Sequence, residues 1–160
     1  MNPIAWLIGL ALPACGLPGA AGLPPPSLMD VARIVRPASP NTALAAPAGF
    51  SPAPDIVAPP FHLPADRLFA LVRDVVAGQP RTFQAALFPD QLQAHYVARS
   101  AVFNFPDQIM VQVRQEGSDN SVLIVYSRSV YGRSDFGTNR KRIEAWLAEL
   151  RTKLPSTSER

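Results

Sequence analysis

Apolar residues recur at helical spacing in two places along the chain and alternate at strand spacing between them. After Pro64, which suits a first helical turn, Leu68, Leu71, Val72 and Val75 form one stripe, and Gly78-Gln79-Pro80 ends it. Residues 81–88 read as a strand and Pro89-Asp90 as a turn. Residues 92–103 read as a longer strand, broken at Phe105-Pro106-Asp107. Ile109, Val111 and Val113 then alternate with Met110, Gln112 and Arg114, the pattern of a half-buried strand. Residues 116–120 make a hairpin turn, and 122–129 form a last strand, apolar on both faces at its centre and so central in its sheet. Ile143, Trp146, Leu147, Leu150 and Leu154 give the second helical stripe, which Pro155 closes. Glu149 and Lys153 make a favourable i,i+4 pair on its exposed side.

Helix, four strands and helix, joined by short links, predict an α+β fold: a four-stranded antiparallel sheet with both helices on one side. If the strands curl around the last helix, the result is a helix-grip arrangement, a form that encloses apolar ligands.

Composition changes the picture upstream of residue 61. Most of the 18 prolines fall before residue 65. Residues 24–60 read as a disordered Pro/Ala-rich linker of partly polyproline backbone, residues 61–155 as the folded domain, and 156–160 as a tail. Residues 1–29 carry no charged side chain. The run 4–12 followed by Pro13-Ala14-Cys15-Gly16 resembles a bacterial lipoprotein signal, with Cys15 as the lipidated residue. A retained anchor over 3–23 is the competing expectation, since about 20 apolar residues span a bilayer. Arg33 and Arg36 follow that segment, which would place such an anchored domain in the cytoplasm. A third reading leaves Cys15 as a small residue in an apolar tail. Export to the cell envelope, on the periplasmic side, with membrane contact through residues 1–23, is the favoured expectation.

The lone Cys15 excludes an intrachain disulfide, and His62 and His95 stand outside any ligand-spaced motif, so neither a metal nor a cofactor is expected. A net charge of +3 is too small for a broad basic face, and no RNA-stacking pattern is present, so no nucleic-acid partner is expected. The positive charge concentrates instead at Arg128, Arg133, Arg140, Lys141 and Arg142, around a turn that enters the last helix. Two readings apply. Arg128, Arg133, Ser134, Asp135, Asn139 and Arg140 form an anion site at a helix N-terminus, for a lipid headgroup or a carboxylate. Alternatively Ser134, Asp135 or Thr138 caps the helix, Asp135 pairs with Arg128 or Arg133, and Asn139 bonds the turn backbone.

The same residues carry a resemblance. Tyr126-Ser127-Arg128-Ser129, Gly132-Arg133-Ser134-Asp135, Gly137 and Asn139-Arg140-Lys141-Arg142-Ile143-Glu144 resemble the C-terminal signature of the bacterial and plastid domain of unknown function 1499 family. Phe103-Asn104-Phe105-Pro106-Asp107 and Ser39-Pro40-Asn41 resemble two further motifs of that family. Where relatives carry cysteines beside the latter, this chain has Arg36 and Thr42. The resemblance, over roughly 36–155, implies a small domain, often membrane-associated or exported, without established chemistry. Three functions are carried forward: a non-enzymatic domain binding an anionic small molecule, lipid headgroup or partner protein; a hydrolase-like enzyme using Asp135 with a serine or arginine; and a scaffolding subunit. No residue is assigned a catalytic role.

Overall fold

The structure is a computed structural model and describes residues 12–155. Residues 1–11, which hold most of the apolar run of the expected signal or anchor, and the tail 156–160 lie outside the described residues.

The expected α+β class holds, with a larger sheet than the periodicity showed. Six strands, β1 (Thr42–Ala46), β2 (Ile56–Val57), β3 (Thr82–Phe88), β4 (Gln93–Arg99), β5 (Pro106–Gln115) and β6 (Ser121–Ser129), form one mixed sheet in the order β2-β1-β6-β5-β4-β3. The four expected strands make the antiparallel meander β3 to β6. The correction lies in the Pro/Ala-rich segment, which supplies β1, antiparallel to β6, and β2, parallel to β1. Its backbone groups therefore go into the sheet instead of to water. β6 is central, as its doubly apolar centre required. The second expected strand is shorter than read, because a turn at 101–103 precedes Phe105.

Both helices, α1 (Ala65–Ala77) and α2 (Thr138–Lys153), cover one face of the sheet. Leu68, Val72 and Val75 from α1 and Ile143, Trp146, Leu147 and Leu150 from α2 pack on Ala43, Ala45, Ile109, Val111, Leu123 and Val125. The expected Glu149–Lys153 pair forms at 3.4 Å. This layer is filled: the void between helices and sheet is only about 10 Å³. The ligand cavity of a helix-grip arrangement is not there.

The opposite face is covered by the chain before β1. Val31 and Ile34 bury themselves against Leu44, Ala46, Met110, Ile124 and Tyr126, so Met110, expected on a solvated face, is buried. Upstream, residues 12–29 cross this face as a strap fastened at two points on one strand. Arg99, 4% exposed, donates to the carbonyls of Ala14 (2.6 Å), Gly19 (2.6 Å) and Ala21 (2.8 Å). At the other end of β4, Gln93 accepts from the Met29 amide (2.7 Å) and donates to the Met29 carbonyl (2.8 Å). Gln93, His95, Val97 and Arg99 share a face because strand side chains alternate. The first and last of these are the fasteners, and the middle two line the floor of the space beneath the strap.

Candidate functional site

Two places collect the residues singled out by the sequence. The first is a polar knot at the end of the sheet where β5 begins and β6 ends. Ser127 and Ser129, on the helix-facing side of β6, meet the first turn of α2. Fully buried Asn139 donates to the Asn41 carbonyl (3.0 Å) and to Ser129 Oγ (3.1 Å). Its Oδ1 accepts from Ser127 Oγ and from Arg142 Nη1 (2.7 Å for the latter). Arg142 also donates to Ser127 Oγ (3.1 Å) and to Asp107 Oδ2 (2.6 Å). Asn41 completes the knot by donating to the Gly132 carbonyl (2.7 Å). The stretches that carry the family resemblance, near 41, 107, 127 and 139, thus converge on one buried, fully partnered network.

Asp135 caps α2. Gly137, with φ 77°, stands at the helix boundary, and Asp135 Oδ2 and Oδ1 accept from the amides of Asn139 (2.8 Å) and Gly137 (3.0 Å). Those amides would otherwise lack partners. Ser134 Oγ accepts from the Phe136 amide at 3.3 Å. Neither expected pairing of Asp135 with Arg128 or Arg133 forms among the described residues. Arg140 pairs instead with Glu144 at 2.9 Å, and Arg133 is exposed with no side-chain partner among the described residues.

The six residues read as one anion site do not all come together. Arg128 and Asn139 lie on opposite sides of the sheet: Ser127 and Ser129 face α2, so Arg128 between them faces away. Arg142, omitted from that set, proves to be the arginine of the knot. Its helical position one turn after Asn139 was the available signal.

The second place is the cleft of about 730 Å³ beneath the strap. Leu23, Pro24, Pro25, Leu28 and Met29 line it from the strap side, and Val97, Met110, Tyr126 and Val130 from the sheet side. Its polar members include Ser27, His95, Gln108 and Arg128. Arg128 donates from Nε (3.0 Å) and Nη2 (2.7 Å) to the Gln108 amide oxygen and has no carboxylate partner among the described residues. Sequence reading missed this cleft because eight of its 18 lining residues come from the segments taken for signal or anchor and for linker.

His95 lies 2.8 Å from Gln93 Oε1 through Nε2, and its ring meets Phe88 edge to face. Burial pushes its pKa below the ordinary 6.5. As pH falls the unfolded chain takes this proton first. The His95 contribution to stability is therefore complete above 6.5 and is lost as pH drops from there through the lower folded value. Urea midpoints measured from about pH 7 down to about pH 5 should fall in the parent and fall less in His95→Gln. Equal slopes would place the titrating group elsewhere.

Cys15 is 0% exposed, in a 3-10 turn (Pro13–Gly16) whose carbonyls bond Arg99 and Asn104. Burial raises its pKa, and the charge of Arg99 opposes that shift. A lipid on Cys15 would require this turn to leave the domain. Among the described residues there is no cluster of three or more potential metal ligands, and no helix is long and apolar enough to cross a membrane.

Two helices over one face of a six-stranded sheet, a strap over the other, and a buried knot at one end define an α+β domain built around its C-terminal motif. A family model described as protein of unknown function (DUF1499) matches residues 35–150, and the chain belongs to that family. No curated protein and no solved structure matches it.

Proposed function

We propose that this is a binding domain for an amphipathic anion, with an alkyl chain in the cleft beneath the strap and the charged head on Arg128. The observation that carries this reading is an apolar cleft of about 730 Å³ with an arginine that no carboxylate among the described residues neutralises. That volume falls within the range of small-molecule sites, and a few polar groups on apolar walls is their usual make-up. An enzymatic reading finds less support. Both carboxylate oxygens of Asp135 are taken by backbone amides, and Ser127 is partnered by Asn139 and Arg142. Location in the cell envelope belongs to the same proposal, since anions with alkyl chains concentrate at membranes.

Palmitate is a suitable probe, followed by calorimetry on the full chain. Arg128→Ala should weaken binding on the order of tenfold or more, the worth of one charged hydrogen bond, without moving the thermal midpoint. Val97→Trp should block binding by filling the floor. Dodecylamine, with a similar chain and the opposite charge, should bind more weakly than palmitate. Failure of palmitate to bind, or equal affinity for the amine, would overturn the proposal.

A further inference from the structure

We propose that the end of the sheet bearing the knot docks on an anionic lipid surface. This inference does not depend on what the cleft holds. Three segments meet at that end. Asn104 donates to the carbonyls of Cys15 (2.6 Å) and Leu17 (3.1 Å), which joins the 13–17 turn to the 100–105 loop. The Val130 amide donates to the Pro106 carbonyl (3.1 Å), which joins the 130–137 loop to the start of β5.

Each segment carries an exposed large apolar side chain: Leu17, Phe103 and Phe136. Phe136 is 89% exposed, makes no ring contact among the described residues, and sits at φ 52°. A bulky residue in that conformation is uncommon, and its ring gains nothing from the fold.

Around Phe136 two cations stand against one acid without an ion-pair partner among the described residues, Asp135, so the charge is positive on balance. The side chains of Arg133 and Lys141 are exposed and have no hydrogen bond or ion pair among the described residues. The two acids nearby are occupied, Asp135 by backbone amides and Glu144 by Arg140. Exposed aromatics set among cations are what a lipid interface rewards, because rings enter at headgroup depth while Lys and Arg meet anionic lipid. Protein interfaces, by contrast, are depleted in lysine.

The test is sedimentation of the full chain with vesicles of phosphatidylcholine, and of phosphatidylcholine with phosphatidylglycerol in equal parts. Binding should favour the anionic vesicles and weaken with salt. Arg133→Gln and Lys141→Gln should each weaken it by about fivefold. Phe136→Ser should weaken it on the order of tenfold. Thermal midpoints should not move, since these side chains hold nothing in place. Because Cys15 is buried, Phe136→Cys offers the accessible thiol for an environment-sensitive dye, whose emission should shift to the blue on anionic vesicles. Three results would overturn the proposal: variants that bind like the parent, a parent indifferent to phosphatidylglycerol, or a dye emission that does not change.

Discussion

Arg142→Ala is expected to lower the unfolding free energy by about 3–5 kcal/mol, the usual cost of removing one partner from a buried ion pair. The loss has three parts. Asp107, 8% exposed, is left without its counter-charge. Asn139 Oδ1 loses one donor, and Ser127 Oγ loses the donor it accepts from. The knot also ties β1, through the Asn41 carbonyl, to the first turn of α2, so weakening it loosens strand and helix together. For a domain of this size such a loss is a large part of total stability. Arg142→Lys should fall between parent and alanine, because an ammonium can meet Asp107 but lacks the planar fork that also serves Asn139 and Ser127. Arg140→Ala is the control. It removes an exposed i,i+4 pair with Glu144, which is screened by solvent and worth about 0.5 kcal/mol or less. Urea unfolding of the three variants decides the matter. Equal losses in the two alanine variants would show that the knot contributes no more than a surface pair.

Arg99→Met is expected to open the strap and expose Cys15. Methionine keeps much of the stem but supplies no donors, so the carbonyls of Ala14, Gly19 and Ala21 lose their shared partner at once. Charged hydrogen bonds are worth about 1.5–3 kcal/mol, so local opening should rise roughly 10–100-fold. Thiol labelling reads this directly, because Cys15 is closed off in the parent. The sign is diagnostic. Arg99 lowers the Cys15 pKa against the effect of burial, so loss of its charge alone would favour the thiol and slow labelling. Faster labelling therefore reports opening and not electrostatics. Unchanged or slower labelling would mean that the strap is held by other contacts. The helix-covered face lies on the other side of the sheet, so the main unfolding transition should change less than the labelling rate.

What the sequence made legible was what periodicity can carry. Both helices, the meander and the central place of β6 follow from stripes and alternations of bulky side chains, and those side chains fill the helix-facing core. β1 escaped notice because Thr42-Ala43-Leu44-Ala45-Ala46 contains one bulky residue among alanines and lies between Pro40 and Pro47. Ala43 and Ala45 are small where they face the helices, and the strand's worth lies in pairing with β6, a partner 80 to 86 positions away. The strap was illegible for a related reason. Its fastening uses its own backbone carbonyls and the distant side chains of Gln93 and Arg99, so nothing in its own residue pattern announces it. At the candidate sites, residue types were read more reliably than sides. Asp135 as helix cap was within reach, whereas the separation of Arg128 from Asn139 depends on strand phase, which a one-residue change inverts.

The two fasteners on β4 join residues 64 to 85 positions apart in the chain. Contacts of that span pay loop-closure entropy before they return any stabilisation, and so form late. The strap is synthesised before β4 and β5, so its docking face does not exist until those strands have been made and paired. Throughout that interval residues 12–29 are an uncharged, proline-punctuated stretch without the sheet face that later covers it. How long it stays uncovered is set by a race between synthesis and folding.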